Sequence, residues 1–425
     1  IAFTSFCSWG SGLLIEKYRE TPKKAKTINV LNIVLNLLIL GVFKYYDFFV
    51  TSFANLFLDG DTDGLLLKII LPVGISFYTF QALSYSIDVY REKLKPTRDI
   101  VQFFAFVSFF PQLVAGPIER ATNLLPQFER KRTFDYSEAV DGMRRILWGL
   151  FKKVVVADNC ATYVDAVWSD IGSQSGSTLL LAAILYTIQI YCDFSGYSDM
   201  ALGSAKLLGF RFRDNFLFPY FSRNMGEFWK RWHISLNTWF VDYVYIPLGG
   251  SRNGKARTIV NTMIIFLLSG LWHGADWSFV AWGGYHGLLL VLLILFNRNT
   301  KYEHVVAYDR WLPSFKELGQ MLLVFILATI GWMMFRADNM GMFVEYVKGI
   351  FSPTIFSMPD IAGQNALLLM IAICFIVEWL LRHKCHGLDV RGISFAGVRW
   401  LVYIGVCLCI FLCGGHTENF VYMYF

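Results

Sequence analysis

The chain has 425 residues, of which 55% are hydrophobic and 17% aromatic, and its formal net charge is +6. This composition excludes an ordinary soluble domain and indicates an integral membrane protein with many spans. The positive charge does not indicate nucleic-acid binding, because the basic residues lie in short loops between apolar runs and no nucleic-acid-binding motif accompanies them. The positive-inside pattern predicts that these loops face the cytoplasm. They are residues 17–26, 91–98, 120–132, 252–257 and 382–399.

Apolar runs recur along the whole chain. A spanning helix needs about 20 mainly apolar residues, and several runs are shorter, so some of them are predicted to be re-entrant or tilted. Residues 1–15 resemble the tail of a first helix whose beginning is missing. No repeat or long polar linker interrupts the pattern, so we expect one helical membrane domain over residues 1–425. The predicted spans are 28–50, 65–87, 100–118, 178–192, 258–272, 277–296, 318–335, 366–381 and 400–413.

The central segment of the chain is more polar. Residues 191–199 place two carboxylates and several hydroxyls at the end of an apolar run. We interpret this block as the lining of a cavity; the alternative is an interfacial belt of hydrogen-bonded turns. The preceding stretch, 141–158, mixes apolar and basic residues and predicts a helix at the cytoplasmic interface. Its basic residues, expected to face lipid head groups, are Arg144, Arg145, Lys152 and Lys153.

Two histidines stand in aromatic, otherwise lipid-like sequence: His233 in EFWKRWHIS (227–235) and His273 in SGLWHGADW (269–277). A titratable group at membrane depth is costly and usually faces a cavity or a pathway. Imidazole is the side chain best suited to moving a proton near neutral pH, and burial favours its base form. One histidine could orient the other, bind an acyl carbonyl or hold a donor. Alternatively, both could bond to helix backbone and have no chemical role.

Several common chemistries lack their signatures. There is no HExxH, GxSxG, P-loop or dinucleotide motif. The cluster HKCH at 383–386 is interpreted as an interfacial basic loop, so no metal site is predicted. The remaining option is a histidine base that takes a proton from a substrate hydroxyl while the oxygen attacks an activated acyl group. A non-catalytic acyl-donor transporter and a membrane scaffold stay open as alternatives.

The blocks WKRWHISL (229–236), DYVYIPLGG (242–250) and LWHGADW (271–277) closely resemble the membrane-bound O-acyltransferase (MBOAT) family. The similarity is strongest to its bacterial polysaccharide branch, the alginate and peptidoglycan O-acetyltransferases. The resemblance implies an all-α integral membrane protein, with a multi-span core and re-entrant and interfacial helices around a central tunnel, in the bacterial cytoplasmic membrane. Supporting blocks lie at 71–81, 109–118 and 191–199.

The resemblance also implies roles for particular residues. It marks His273 as the deep catalytic histidine and His233 as the second, cytoplasm-side one. No bound cofactor is implied; the donor would be acetyl-CoA, and the acceptor a cell-envelope polysaccharide reached through a secreted SGNH-type transferase. Lys230 and Arg231 are candidates for binding donor phosphates, although they could instead snorkel to lipid head groups. The candidates for lining the tunnel are Trp232, Trp272, Asp193 and Ser195.

The chain ends FVYMYF at 420–425, which by composition alone could be an aromatic anchor in the membrane interface. It is similar to the F-x-Y-x-x-F ending of this branch, which implies that Tyr422 is a transient acyl carrier; Tyr424 leaves the assignment open. The D-alanyl transferases of teichoic acid share the two histidines but generally lack the YIPLGG block found here at 245–250. Transfer of D-alanine or of a longer acyl chain is therefore the rival enzymatic interpretation.

Overall fold

The computed structural model describes residues 1–58, 62, 64–298, 302, 304–414 and 420. These ranges are predominantly helical and contain no strand. Within them, five helical stretches are long and apolar enough to cross a membrane. The prediction of an all-helical, multi-pass membrane protein is confirmed. The five stretches are Pro22–Phe57, Gly176–Leu207, Trp277–Leu295, Phe315–Arg336 and Ala396–Cys413.

The chain divides into two compact units, and the first consists of Ile1–Asp135 with Leu208–Arg213. In this unit α2 and α3 form one long helix because a π-helical turn, Gly41–Tyr45, joins them without a break. Its helices are α1 (Ala2–Lys17), α2 (Pro22–Leu40), α3 (Tyr46–Phe57), α4 (Ile75–Tyr90), α5 (Ile100–Val107), α6 (Phe110–Leu113) and α7 (Ala121–Glu129).

Two predicted spans of the first unit are shorter in the structure. The run 65–87 becomes helical only at Ile75, because Pro72 lacks an N–H donor and Gly74 adopts a left-handed conformation with φ 74°. The run 100–118 breaks after Val107 into α5 and the four-residue α6. The runs expected to be re-entrant or tilted were the shorter ones, so these two interruptions were not predicted from the sequence.

The second unit consists of Tyr136–Leu207 with Asp214–Phe425. The last five predicted spans agree with α13, α14, α15, α17 and α18 to within four residues at each end. Its helices are α8 (Tyr136–Leu150), α9 (Asp158–Ser169), α10 (Gly176–Leu207), α11 (Met225–Arg231), α12 (Ile234–Phe240), α13 (Gly254–His273), α14 (Trp277–Leu295), α15 (Phe315–Arg336), α16 (Met340–Ile350), α17 (Asn365–Leu380) and α18 (Ala396–Cys413).

The 32-residue helix α10 is largely buried within the second unit. The backbones of α10 and α8 pack directly against each other, because glycines of the two helices face each other at the contact. A Cβ atom on Gly149 would lie 2.5 Å from the carbonyl oxygen of Gly196, so any larger residue at position 149 would force the helices apart. This close approach carries the side chains on either side of the glycines into contact.

Candidate active site

His233 lies at the junction of α11 and α12, in an unusual backbone conformation. Its φ of 45° and ψ of 53° are in the left-handed region, which non-glycine residues adopt rarely. A backbone hydrogen bond from the Ile234 N–H to the Asn215 carbonyl (3.0 Å) holds the turn. The imidazole is 1% exposed. The surrounding structure therefore fixes this histidine at some conformational cost, which is typical of functional positions.

His273 is the last residue of α13. The helix ends there because Gly274 takes an extended conformation, and Asp276 then caps α14 by accepting a hydrogen bond from the Ser278 N–H (2.7 Å). The two helices pack closely beside the histidine: a Cβ atom on Gly270 would lie 2.2 Å from the carbonyl oxygen of Phe279. The tight helical hairpin holds the His273 imidazole, which is 4% exposed, inside the unit.

The structure brings the two predicted histidines together. Their ring centroids are 6.5 Å apart. Because each ring nitrogen lies close to its own centroid, this separation is too long for a direct hydrogen bond between the rings. Trp272 lies beside both rings, at centroid distances of 6.1 Å from His233 and 4.9 Å from His273. A reacting group that reached both imidazoles would therefore lie against an indole in a desolvated environment.

Trp232 has a different setting from Trp272. It is 1% exposed and lies within an aromatic cluster, with ring centroids 4.6 Å from Trp332 and 5.6 Å from Phe228. Burial among aromatic rings indicates that Trp232 supports the turn at His233 from behind. Lining of a tunnel by Trp232 or Trp272 stays a prediction.

Asp193 and Ser195 are buried on α10, and each meets a lysine from the π-helical turn Phe151–Ala157. Asp193 pairs with Lys153 at 2.7 Å, and the Ser195 hydroxyl accepts a hydrogen bond from Lys152 at 2.9 Å. Their place beside a cavity stays a prediction, and their immediate partners are these two cations.

Five charged residues beside them form what we call the buried ion network: Arg145, Lys152, Asp199 and Glu378 are buried, and the Asp214 side chain is 30% exposed. Arg145 contacts Asp199 at 2.8 Å and Asp214 at 2.7 Å. Lys152 contacts Asp199 at 2.6 Å and Glu378 at 4.0 Å. The prediction that Arg145, Lys152 and Lys153 face lipid head groups is therefore wrong, because carboxylates of α10 and α17 draw these side chains inward.

The two donor-binding candidates, Lys230 and Arg231, have different environments. Arg231 is tied to Glu227 (2.9 Å) and to the Leu217 carbonyl (3.2 Å). Lys230 is exposed and lines a cavity of about 290 Å³ among α11, α12, α13, α14 and the π-helical turn Val241–Tyr245. The rest of this lining is mainly apolar, with Trp229 and Phe266 prominent. Lys230 is thus available to an anionic ligand, whereas Arg231 already has a carboxylate partner.

The part of the chain that carries both histidines matches a known protein family. A model of the membrane-bound O-acyltransferase family matches residues 91–322, which include both histidines. The chain belongs to the MBOAT family. The predicted resemblance and the prediction of an acyltransferase enzyme are both confirmed.

Curated relatives of this MBOAT protein extend the comparison. It is 39% identical over 372 residues to the probable alginate O-acetylase AlgI of Azotobacter vinelandii, a match that covers 87% of this chain and 72% of that protein. It is 35% identical over 347 residues to the peptidoglycan O-acetyltransferase of Helicobacter pylori, covering 76% and 64%. The teichoic acid D-alanyltransferase of Bacillus subtilis is 28% identical over 252 residues, covering 57% and 62%. The chain thus spans roughly two thirds of these relatives' lengths.

Sequence analysis missed another buried histidine, His286 of α14. It is fully buried, with its ring centroid 5.0 Å from Trp229 and 5.1 Å from Trp282. Gly331 makes room for it, because a Cβ atom there would lie 2.3 Å from the His286 Nε2 atom. The available signal was the presence of a histidine inside the apolar run 277–296. His286 belongs to the aromatic surroundings of the histidine pair, since Trp282 also contacts His273 at 5.0 Å.

The HKCH cluster is only partly the interfacial loop that was predicted. His386 is buried, and its Nε2 lies 3.2 Å from Asp141 Oδ1. The hydrogen bond with His386, followed by the bond from Lys206, holds the pKa of Asp141 well below its usual range. The contact ties the loop to α8. Among the residues that the structure describes, no group of three His, Cys, Asp or Glu side chains could hold a metal ion.

The acyl-carrier candidate Tyr422 and the neighbouring Tyr424 lie outside the described residues. Phe420, two positions earlier, is described. Its ring lies 4.7 Å from the Tyr197 ring and 4.5 Å from the Lys153 ammonium. The start of the FVYMYF segment therefore meets α10 and the π-helical turn Phe151–Ala157, beside the Asp193 pair.

Proposed function

We propose that this protein is an O-acyltransferase that takes an acetyl group from acetyl-CoA at the cytoplasmic face and passes it across the membrane for O-acetylation of an extracytoplasmic polysaccharide. The observation that carries the proposal is the buried pair of histidines, His233 and His273, with ring centroids 6.5 Å apart. A histidine that is shielded from water can remain neutral and act as a base near neutral pH. The two rings come from different segments, the turn between α11 and α12 and the end of α13, and they lie close enough for one reacting group to touch both.

In the proposed reaction His273 is the general base. Its imidazole takes the proton of an acceptor hydroxyl while the oxygen attacks the thioester carbonyl carbon. The tetrahedral intermediate collapses as the carbon–sulfur bond breaks, and the thiolate of CoA receives the proton from the imidazolium. The acceptor gains an ester, CoA leaves as the thiol, and His273 returns to its neutral form. Tight packing by Trp282 and Phe335 (5.0 and 5.4 Å) would exclude water and so limit hydrolysis of the thioester.

The polysaccharide acceptor is supported by the names of the relatives, which are acetylases of alginate and of peptidoglycan. We place the protein in the bacterial cytoplasmic membrane as one MBOAT domain over residues 1–425, with a tunnel joining the two faces. The final acceptor would be reached through a secreted SGNH-type transferase. The basic loops predicted to face the cytoplasm would put the anionic donor on that side.

Purified protein in sealed vesicles tests the proposal. Acetyl-CoA carrying a labelled acetyl group is added outside, a soluble glycan and an SGNH-type transferase are enclosed inside, and CoA thiol release and label on the glycan are measured. Thiol release with labelled ester inside is expected, and protein-free vesicles are the control. Label that enters without thiol release would identify a transporter instead. D-alanyl carrier protein or a long-chain acyl-CoA used in preference to acetyl-CoA would overturn the choice of donor.

Lys230 is proposed to bind the phosphates of the donor, because it is an exposed cation at the edge of the cavity. Replacing Lys230 with alanine is expected to raise KM for acetyl-CoA about two- to fivefold at low salt, with less effect at high salt, as for an exposed charge pair. Steady-state kinetics at two ionic strengths measure this. Lys348→Ala, at an exposed lysine of α16, is the matched control. An unchanged KM at low salt would remove Lys230 from the donor site.

Tyr422 is proposed to carry the acetyl group outward as an aryl ester. A base must take its phenol proton, because tyrosine has an ordinary pKa near 10 and is otherwise a poor nucleophile. A hydroxyl of the SGNH-type transferase then attacks the ester, the phenol regains its proton, and the transferase passes the acetyl group to a sugar hydroxyl. Tyr422→Phe keeps the ring and removes the nucleophile, so transfer to glycan is expected to fall to background. Mass spectrometry of the C-terminal peptide should find the acetyl group on Tyr422. Tyr424→Phe is the matched control variant. Normal glycan acetylation by Tyr422→Phe would show that the tail has an anchoring role instead.

A further inference from the structure

Asn215 is a buried residue, fully shielded from solvent, that lies against the turn carrying His233. The two segments are joined by backbone hydrogen bonds at both ends. The Ile234 N–H donates to the Asn215 carbonyl, and the Leu217 N–H donates to the Arg231 carbonyl, each at 3.0 Å. The main chain around Asn215 therefore holds the left-handed turn, and its side chain is placed beside the His233 ring.

The orientation of the Asn215 amide follows from its partners. The Ser235 backbone N–H lies 3.2 Å from Oδ1, and a backbone N–H can only donate. The oxygen therefore faces Ser235, whose hydroxyl donates to the same atom at 2.8 Å. The amide nitrogen faces the opposite way and donates to the Ser198 hydroxyl at 3.2 Å. If the amide were flipped, its NH₂ group would face the Ser235 backbone N–H, and two hydrogen-bond donors would point at each other.

This orientation determines the tautomer of His233. The Nδ1 atom of the ring lies 3.2 Å from the Asn215 Oδ1 atom. Because an amide oxygen only accepts hydrogen bonds, Nδ1 must carry the hydrogen. A neutral imidazole has a single N–H, so the lone pair is on Nε2.

We propose that Asn215 is a positioning residue that fixes His233 as the Nδ1–H tautomer, so that Nε2 serves as a hydrogen-bond acceptor. The catalytic consequence rests on the proposed acyl transfer. Of the roles open to the second histidine, binding an acyl carbonyl requires an N–H, which neutral Nε2 lacks. Accepting a hydrogen bond from the attacking hydroxyl requires the lone pair that this tautomer places on Nε2.

Nuclear magnetic resonance of protein labelled with ¹⁵N at histidine tests the tautomer without any turnover. The signals of His233 are assigned by their loss in a His233→Gln variant. In the unaltered protein we expect a protonated Nδ1 and an unprotonated Nε2. A protonated Nε2, whether from the other tautomer or from the imidazolium, would overturn the inference.

Kinetics of two variants test the positioning role. Asn215→Leu keeps similar bulk and removes the acceptor, so kcat is expected to fall about 10- to 100-fold, as for loss of a hydrogen bond that orients a functional histidine. The KM for acetyl-CoA should change less than about twofold, since no donor contact is removed. Ser235→Ala deletes a neighbouring bond to the same oxygen but spares the ring, and should retain both the tautomer and kcat.

The possible failures are distinguishable. If His233 has the expected tautomer but the unaltered protein transfers no acetyl group, the proposed function fails and the role of Asn215 in setting the tautomer stands. If the tautomer is unchanged in Asn215→Leu, Asn215 does not set it, whatever the activity. If Ser235→Ala loses activity as much as Asn215→Leu while the ring keeps its tautomer, the effect is structural and the positioning role is excluded. Should Asn215→Leu fail to fold, the spectrum of the unaltered protein still decides the first step.

Discussion

Replacement of His273 with alanine is expected to slow acyl transfer by on the order of 10²–10⁴-fold, the usual contribution of a general base. The reason lies in the site geometry. His273 is held at the end of α13 by the close α13–α14 contact and lies against Trp272, Trp282 and Phe335. These apolar neighbours offer no other base. Water that entered the space left by the imidazole would be a far weaker base, so the reaction would lose its proton acceptor.

The measurement is CoA release and glycan acetylation by purified variants that elute as single folded species. His273→Gln keeps a polar side chain but has no titratable nitrogen, so it should be as slow as His273→Ala. Because glutamine fills most of the space, a slow His273→Gln variant would show that the loss of rate does not come from a cavity. His383→Ala is the matched control, because His383 is exposed in the 382–399 loop. Turnover by His273→Gln within a few-fold of the unaltered protein would contradict the assignment of His273 as the base.

The membrane class and the histidine pair could be predicted from sequence because their signals are local. Apolar runs follow directly from composition, and His233 and His273 stand out within them. The close approach of the two rings was not deducible from spacing, because it depends on the left-handed turn at His233 and on the α13–α14 packing. Asn215 escaped notice for the same reason: its importance comes from contacts 18 and 20 residues along the chain.

The buried charges were misjudged for a related physical reason. The carboxylates Asp193 and Asp199 suggested that a span ends near residue 192, yet α10 continues to Leu207. The helix can remain buried because Lys153 and Lys152 neutralise these carboxylates from the facing π-helical turn. A pattern of basic residues on one helix does not reveal that these carboxylate partners lie 40 and 47 residues away in the chain. The acidic residue Glu378 in the apolar run 366–381 was the sequence signal for such a pairing.

Replacing Lys152 with methionine is expected to destabilise the second unit strongly, by about 3–5 kcal/mol, the cost of breaking a buried ion pair. Lys152 is 2% exposed and neutralises Asp199 at 2.6 Å and Glu378 at 4.0 Å. Methionine fills a similar volume, so the loss comes from the charge rather than from a cavity. Asp199 would keep Arg145 as a partner, whereas Glu378 would keep only hydrogen-bond donors such as the Tyr191 hydroxyl (2.9 Å).

Thermal unfolding of the purified protein, followed by loss of the folded species, measures the effect as a lowered Tm. Arg310→Met is the control: its pair with Glu317 at 2.8 Å is more than half exposed on the arginine side, and such pairs contribute about 0–1 kcal/mol.

A double variant separates the effect of the charge from the effect of packing. Adding Glu378→Gln to Lys152→Met removes the carboxylate left without a cation, so Tm should recover in part. If Lys152→Met alone has the Tm of the unaltered protein, the buried ion network does not hold α8 and α17 to α10. The packing of the glycine-lined α8–α10 contact would then be enough to stabilise the unit.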